Sequence, residues 1–398
     1  MHTSKNKRFT YFAIFEALSK FSLFFFIPIT VFHNFDFEIF SYLYNFIQVG
    51  LPALSLGMVV LIYLDTKFKE KIVLINLALG FLFTVICSFI FFQYFYYILL
   101  IFLFFTFYIY GQFYTANFEP KELFFFQYFP KSLFILLFFA LPFFSDISLV
   151  SIICLLGIYS IFLHILFWRK NFSALKNNIV TEGFFSKNLN KYIPILISTL
   201  IGLGYLVMPK LSASNDEIFE VITYLQIYQA VFIFLGIVLV KANTKQIYNS
   251  EDLISILLYK NYIKFYLFLF FVITLIKILF FYVFFFDLLA NYYQIFLMYM
   301  SLVFFYFLYI VSYDYCIAKG YGTRAVSLFI MTLLISYVLF EAFDHKIEFA
   351  LISVALNIVY FIGIFLIASG FKLKRLITHF ATFTFFIGFF LILGDLIK

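Results

Sequence analysis

Charge is scarce in this chain and catalytic motifs are missing from it. Only 12% of its 398 residues are Asp, Glu, Lys or Arg. There are three cysteines: Cys87 and Cys154 fall within long apolar runs, and Cys316 sits beside a basic loop. Their scatter gives neither a disulfide framework nor a metal-ligand spacing. No Walker A pattern is found, which excludes an intrinsic ATPase. His-Glu-x-x-His, G-x-S-x-G and clusters of metal ligands are equally absent, so the sequence predicts no enzyme and no cofactor. Long polar loops are lacking too, which leaves no room for a separate catalytic domain between the apolar segments.

What fills the chain instead is apolar. Hydrophobic residues make up 65% of it, and the mean hydropathy is +1.06. A helix needs about 20 mostly apolar residues to cross a bilayer. Twelve segments meet that need, at 10–32, 39–64, 72–92, 94–111, 123–144, 147–168, 191–211, 218–240, 262–284, 292–313, 324–343 and 349–369; a thirteenth lies at 376–395. No soluble core could hide so much apolar surface, and the expectation is an all-α polytopic membrane protein.

The loops between these spans alternate in charge. One set holds Lys5, Lys7 and Arg8, then Lys67, Lys69 and Lys71, Lys121, the Arg169–Lys191 cluster, Lys241 to Lys264, Lys319 and Arg324, and Lys372 to Arg375. The opposite set holds only Lys210, Lys346 and Lys398, and leans acidic at Asp36, Glu38, Asp146, Asp216, Glu217 and Asp287. By the positive-inside rule the first set, with the N-terminus, is cytoplasmic. The formal net charge of +7 then reflects loops meeting anionic lipid headgroups, and no nucleic-acid partner is expected. The first apolar run carries Glu16 and Lys20 and lacks a small-residue cleavage site, so it reads as a retained helix, not a signal peptide.

Phe (68) and Tyr (31) are abundant. They could stack on sugars, but they occur on every helix face, and a lipid-facing helix need only be apolar; a compositional bias accounts for them more simply.

A weak internal repeat organises the spans. Glu38-Ile39-Phe40 recurs as Glu217-Ile218-Phe219, and Leu56-Gly57-Met58-Val59-Val60 as Leu235-Gly236-Ile237-Val238-Leu239, at one common offset. Each copy follows a proline, Pro28 or Pro209, and leads into polar positions: Asn45 and Gln48 in one, Gln226 and Gln229 in the other. The repeat pairs spans 1 and 2 with spans 7 and 8. An even number of spans separates the copies, so the halves are parallel about an axis along the membrane normal. The expected architecture is two parallel six-helix bundles around a central cleft: 1–168, a cytoplasmic linker at 169–190, then 191–370, with 371–398 as a possible thirteenth helix.

Ionisable groups at membrane depth are expensive and usually face protein or a watery cavity. Glu16 and Lys20, four residues apart, share one helix face and form either a local ion pair or a cavity charge. Lys131 follows Pro130 in the middle of span 5. Lys277 lies in the outer half of span 9, where its stem could snorkel to the interface; Lys210 could anchor the end of span 7 in the same way. His164 and Asp314 fall near span ends and read as interfacial. In span 7, Ser198, Thr199, Gly202 and Gly204 suit either close helix packing or a bendable, path-lining helix.

These features resemble a family: the polysaccharide-unit (O-antigen, Wzx-type) flippases of the multidrug/oligosaccharidyl-lipid/polysaccharide exporter superfamily. The likeness in sequence is carried by Leu18–Leu64, with Ser19-Lys20-Phe21, Pro28, Glu38-Ile39-Phe40-Ser41-Tyr42, Gly50 and Gly57, and by Asn215–Val240. It implies movement of an undecaprenyl-pyrophosphate-linked oligosaccharide from the cytoplasmic to the outer leaflet of a bacterial inner membrane. A polysaccharide polymerase and a chain-length regulator are the implied protein partners. In such flippases helices 1, 2, 7 and 8 line the cleft, which nominates Lys20, Asn45, Gln48, Ser198, Lys210, Gln226 and Gln229, beside Lys131 and Lys277, for the substrate path and Glu16 for ion coupling. Two other readings stay open: an O-antigen polymerase, which should show a large arginine-bearing outer loop, and a cation-coupled drug exporter, which should prefer acidic cavity groups.

Overall fold

A computed structural model of the chain describes residues 14, 50–64, 68–117, 119–140, 148–177, 184–189, 191–197, 199, 262–284, 286–342, 346–370 and 376–397. Among these residues every regular element is helical and there are no strands. Six of the helices are long and apolar enough to cross a membrane. The protein is an all-α, multi-pass membrane protein. Its chain divides into two compact units, Met1–Leu206 and Val207–Lys398.

The first unit contains α1 (Lys69–Ile90), α2 (Phe95–Asn117), α3 (Phe129–Ala140) and α4 (Leu149–Asn177). Helix α1 buries Ile72, Asn76, Gly80 and Thr84, with Val73 and Leu77 beside them. That four-residue spacing makes one stripe, which faces α2. Its opposite face exposes Phe81, Phe83, Ile86 and Ile90. In lipid this inversion is the stable arrangement, because the surface touches acyl chains instead of water. Helix α2 is apolar on all sides and packs on both α1 and α4, so Leu103 to Thr115 are largely buried.

Two irregularities interrupt this unit. Hydropathy alone predicts one unbroken span over 39–64, but within its described part the helix is broken. A turn at Leu51–Leu54 gives way to Ser55–Gly57, a 3-10 turn at Met58–Val60 and a second helical turn at Leu61–Leu64. Leu56 (φ +50°) and Gly57 (φ +74°) both take left-handed backbone, which costs a residue with a side chain roughly 1–2 kcal/mol. Pro52 cannot donate a helical hydrogen bond; its carbonyl instead accepts from the Ser55 hydroxyl at 2.7 Å. A Cβ on Gly57 would stand 2.1 Å from the Tyr192 carbonyl oxygen, so this glycine admits the backbone of the 191–197 helix.

The second irregularity precedes α3. Pro120 starts a short turn, Pro120–Leu123, and Phe124–Tyr128 is π-helical. Pro130, two residues farther on, lacks an N–H and would crowd the carbonyl four residues back. The wider π register accommodates it. The Phe125 carbonyl then accepts the Tyr159 hydroxyl from α4 at 2.7 Å.

Helix α4 also runs past the expected end of its span at Trp168, through Asn177. The first part of the expected 169–190 linker is therefore helical. Lys170 and Asn171 hold it: Lys170 bonds the short 120–123 turn, and the Asn171 amide donates to the Phe167 carbonyl at 2.9 Å.

The second unit contains α5 (Tyr262–Phe284), α6 (Phe286–Ala318), α7 (Gly322–Ala342), α8 (Lys346–Ser369) and α9 (Ile377–Ile397). These follow the spans expected from hydropathy to within a few residues, α6 running longest. Helix α6 packs most extensively on α8, and also on α5 and α9. Aromatic rings fill these seams. Phe383 of α9 stacks on Phe304 of α6 at 4.4 Å, and Tyr309 stacks on Phe361 of α8 at 4.6 Å. The thirteenth span is thus a full helix packed into this unit, fixed further by the Tyr293 hydroxyl on the Phe390 carbonyl.

Candidate functional site

Of the positions nominated from the sequence, Lys131 and Lys277 lie among the described residues. Glu16, Lys20, Asn45, Gln48, Ser198, Lys210, Gln226 and Gln229 lie outside them. The two lysines belong to different units.

Lys277 is only 3% exposed. It stands on the buried stripe of α5, with Phe270, Ile273, Thr274, Ile278 and Phe281. Phe270 meets Phe304 and Phe281 meets Phe296, both on α6, so this stripe faces protein. The snorkelling alternative is not what the fold uses: the side chain stays inside the unit. Lys131 is half-buried on α3, directly after the buried Pro130.

The first unit also carries polar groups that the sequence reading did not nominate for the substrate path. Tyr63 donates its hydroxyl to the Gln112 side-chain oxygen. Tyr110, one turn of helix from Thr106 and fully buried, bonds His164 Nδ1 on α4. Gln127, in the π turn one turn before Lys131, packs on Gly111: a Cβ there would lie 2.3 Å from Gln127 Oε1. That oxygen is buried and takes no hydrogen bond, as is Asn76 Oδ1 on α1. Buried amide oxygens without donors are rare and costly. Here they mark acceptors set inside a membrane unit. These groups are amides, phenols and an imidazole, and none of them is a carboxylate. Such groups can hydrogen-bond hydroxyls and attract anions, but they cannot hold a metal; among the described residues no cluster of His, Cys, Asp or Glu could do so. The available signal was polar residues within or at the ends of spans 3 to 6, such as Asn76, Gln112, Gln127 and His164, outside the helices that the family resemblance places around the cleft.

At the end of these helices two lysines find partners. Lys69 donates to Asn117 at 3.1 Å. Lys170 bridges Glu119 and, at 3.0 Å, Glu122, with its ammonium 5.5 Å from the Tyr114 ring centre. Burial opposes ionisation of Glu122, but the Lys170 hydrogen bond and the charges of Lys170 and Lys121 outweigh it. Its carboxyl is held below the usual carboxylate range.

Helices in this order and of this length match solved transporters over nearly the whole chain. A MATE solved in complex with MaD3S aligns over 92% of this chain and 95% of its own, at 14% identity and a TM-score of 0.63. The fold is the MATE fold. A MATE in complex with Br-NRF gives 12% identity and a TM-score of 0.60, over 92% and 96% of the two chains. A MOP-superfamily transporter from Pyrococcus furiosus, with a binding pocket of reverse polarity that suggests a different function, gives 13% and 0.62, over 92% and 95%. No protein-family model matches the sequence, and no curated protein does.

Proposed function

We propose that this protein is a flippase that moves an anionic lipid-linked oligosaccharide, an undecaprenyl-pyrophosphate-linked repeat unit of O-antigen or capsule, across a bacterial inner membrane. The observation that carries this reading is the sign of the buried charge. Lys277 is buried on the membrane-length helix α5, Lys131 is half-buried on α3, and the polar contacts inside the first unit are made by amides, phenols and an imidazole. A cation at membrane depth is costly, and a pyrophosphate with sugars is cargo that would use both a positive group and amide acceptors. The MATE fold supports transport as the activity, with the polysaccharide polymerase and chain-length regulator as partners acting on the product. The fold also argues against the polymerase reading, since these neighbours are transporters.

The second reading is a cation-coupled drug exporter. Its support is that two neighbours of this fold are MATEs, solved in complex with Br-NRF and MaD3S. One experiment separates the two. The chain is expressed in a strain lacking its own repeat-unit flippase, and both surface polysaccharide and efflux of a cationic dye are measured. Restored polysaccharide with unchanged dye retention is expected. Dye efflux without polysaccharide would replace the flippase by the exporter.

A further inference from the structure

Helix α4 presents two opposite faces. Ile152, Ile153, Leu156, Leu163 and Phe167 are buried, while Leu155, Ile158, Ile161, Phe162, Ile165, Trp168 and Phe172 are exposed, Ile158 by 71%. The exposed set recurs every three or four residues from one end of the helix to the other, as a lipid-facing stripe must. At the basic end this stripe continues into a shallow, open depression of about 530 Å3 lined by His164, Ile165, Trp168, Arg169 and Phe172. Its walls are almost wholly apolar, and the Trp168 and Phe172 rings lie 6.5 Å apart along it.

The two cations at this end differ. Lys170 is neutralised by Glu119 and Glu122. Arg169 lines the depression, is exposed, and has no carboxylate partner among the described residues. An apolar surface depression lined by an exposed arginine and by the tryptophan next to it in sequence matches one kind of molecule in a bilayer. The acyl chain fits the apolar stripe, the indole sits at headgroup level, and the planar guanidinium suits a phosphate oxygen pair.

We propose that this depression retains an anionic phospholipid from the leaflet at the basic end of α4. Its acyl chain lies along Ile165 and Ile161, its glycerol region meets the Trp168 ring, and its phosphate lies against Arg169. Near an anionic surface one basic side chain is expected to enrich such a lipid about fivefold. This site belongs to the resident bilayer and does not depend on what the protein transports.

Trp168 is the chain's single tryptophan, so its emission reports this depression alone. The full chain is placed in nanodiscs of unlabelled phosphatidylcholine with increasing brominated phosphatidylglycerol or, in parallel, brominated phosphatidylcholine carrying the same acyl chains. Half-maximal quenching is expected at about a fivefold lower fraction of the anionic lipid. Arg169→Gln should bring the two curves together, and Arg169→Lys should retain most of the gap. Because Arg169 is exposed, these variants should keep the helix content of the parent by circular dichroism. Coincident curves in the parent chain, no quenching by either lipid, or a gap that survives Arg169→Gln would each overturn the proposal.

Discussion

At the scale of single residues, Lys277 and Lys131 pose the same question at different degrees of burial. Lys277 is buried on the stripe of α5 that faces α6, with Thr274 one turn before it. Replacing a buried ionic group by an apolar one of similar volume is often neutral or stabilising. Lys277→Met should therefore keep or raise the melting temperature in detergent while lowering polysaccharide export in the flippase-deficient strain. A drop in melting temperature would show that the ammonium is needed for packing. Lys131 is half-buried on α3, four residues after Gln127. Lys131→Ala removes an inserted charge and should leave the protein folded, yet it should reduce export. Lys131→Arg should retain more export than Lys131→Ala, since it keeps the positive charge, although its geometry differs. Full export by a well-expressed Lys131→Ala chain would remove this lysine from the substrate path.

At the scale of elements, the breaks matter more than the helices. The Ser55–Gly57 turn brings Gly57 against the backbone at Tyr192 and Leu196. Gly57→Ala has to place a side chain in left-handed backbone, at roughly 1–2 kcal/mol, and push its Cβ into the Tyr192 carbonyl. It should lower the melting temperature by more than Gly157→Ala, where a Cβ meets nothing within 4 Å. Equal effects from the two substitutions would mean that the turn relaxes. Helix existence was legible here from hydropathy, because lipid demands only length and apolarity. The break was not, since Leu56 to Val60 reads as apolar as its surroundings. Its trace was present all the same: Leu56-Gly57-Met58-Val59-Val60 is one of the two repeated segments, read then as ancestry and not as a backbone requirement. The extension of α4 to Asn177 was missed for the converse reason. Hydropathy falls at Arg169, but a helix outside the apolar slab can continue where its side chains find partners, as Lys170 does in Glu119 and Glu122. The polar groups are hidden in sequence because Gln112 and Gln127 are single amides in long apolar runs, and only their contacts across elements, Gln112 with Tyr63 and Gln127 with Gly111, give them meaning.

At the scale of the whole molecule, two kinds of information meet without overlapping. The matched transporters share the order and length of the helices over 92% of the chain at 12–14% identity, so what they share is shape and not side-chain chemistry. The chemistry has to be read from this chain, and its plainest large-scale feature is the distribution of lysine and arginine. The basic set of loops includes Lys67–Lys71, 169–190 and Lys241–Lys264, while the opposite set carries almost no cations. If the positive-inside rule sets the orientation, all of these loops lie in the cytoplasm. Single cysteines at Asn34 or Asn215, in a chain whose Cys87, Cys154 and Cys316 have been replaced, should react with a membrane-impermeant maleimide added to intact spheroplasts. Cysteines at Lys69, Asn171 or Lys245 should react only after the membrane is opened. Since an even number of spans separates the two copies of the repeat, Asn34 and Asn215 must agree with each other. Labelling of one and not the other would make the copies antiparallel and dissolve the parallel duplication. Labelling of Asn171 from outside would invert the whole chain, and Arg169 with its depression would then meet the outer leaflet.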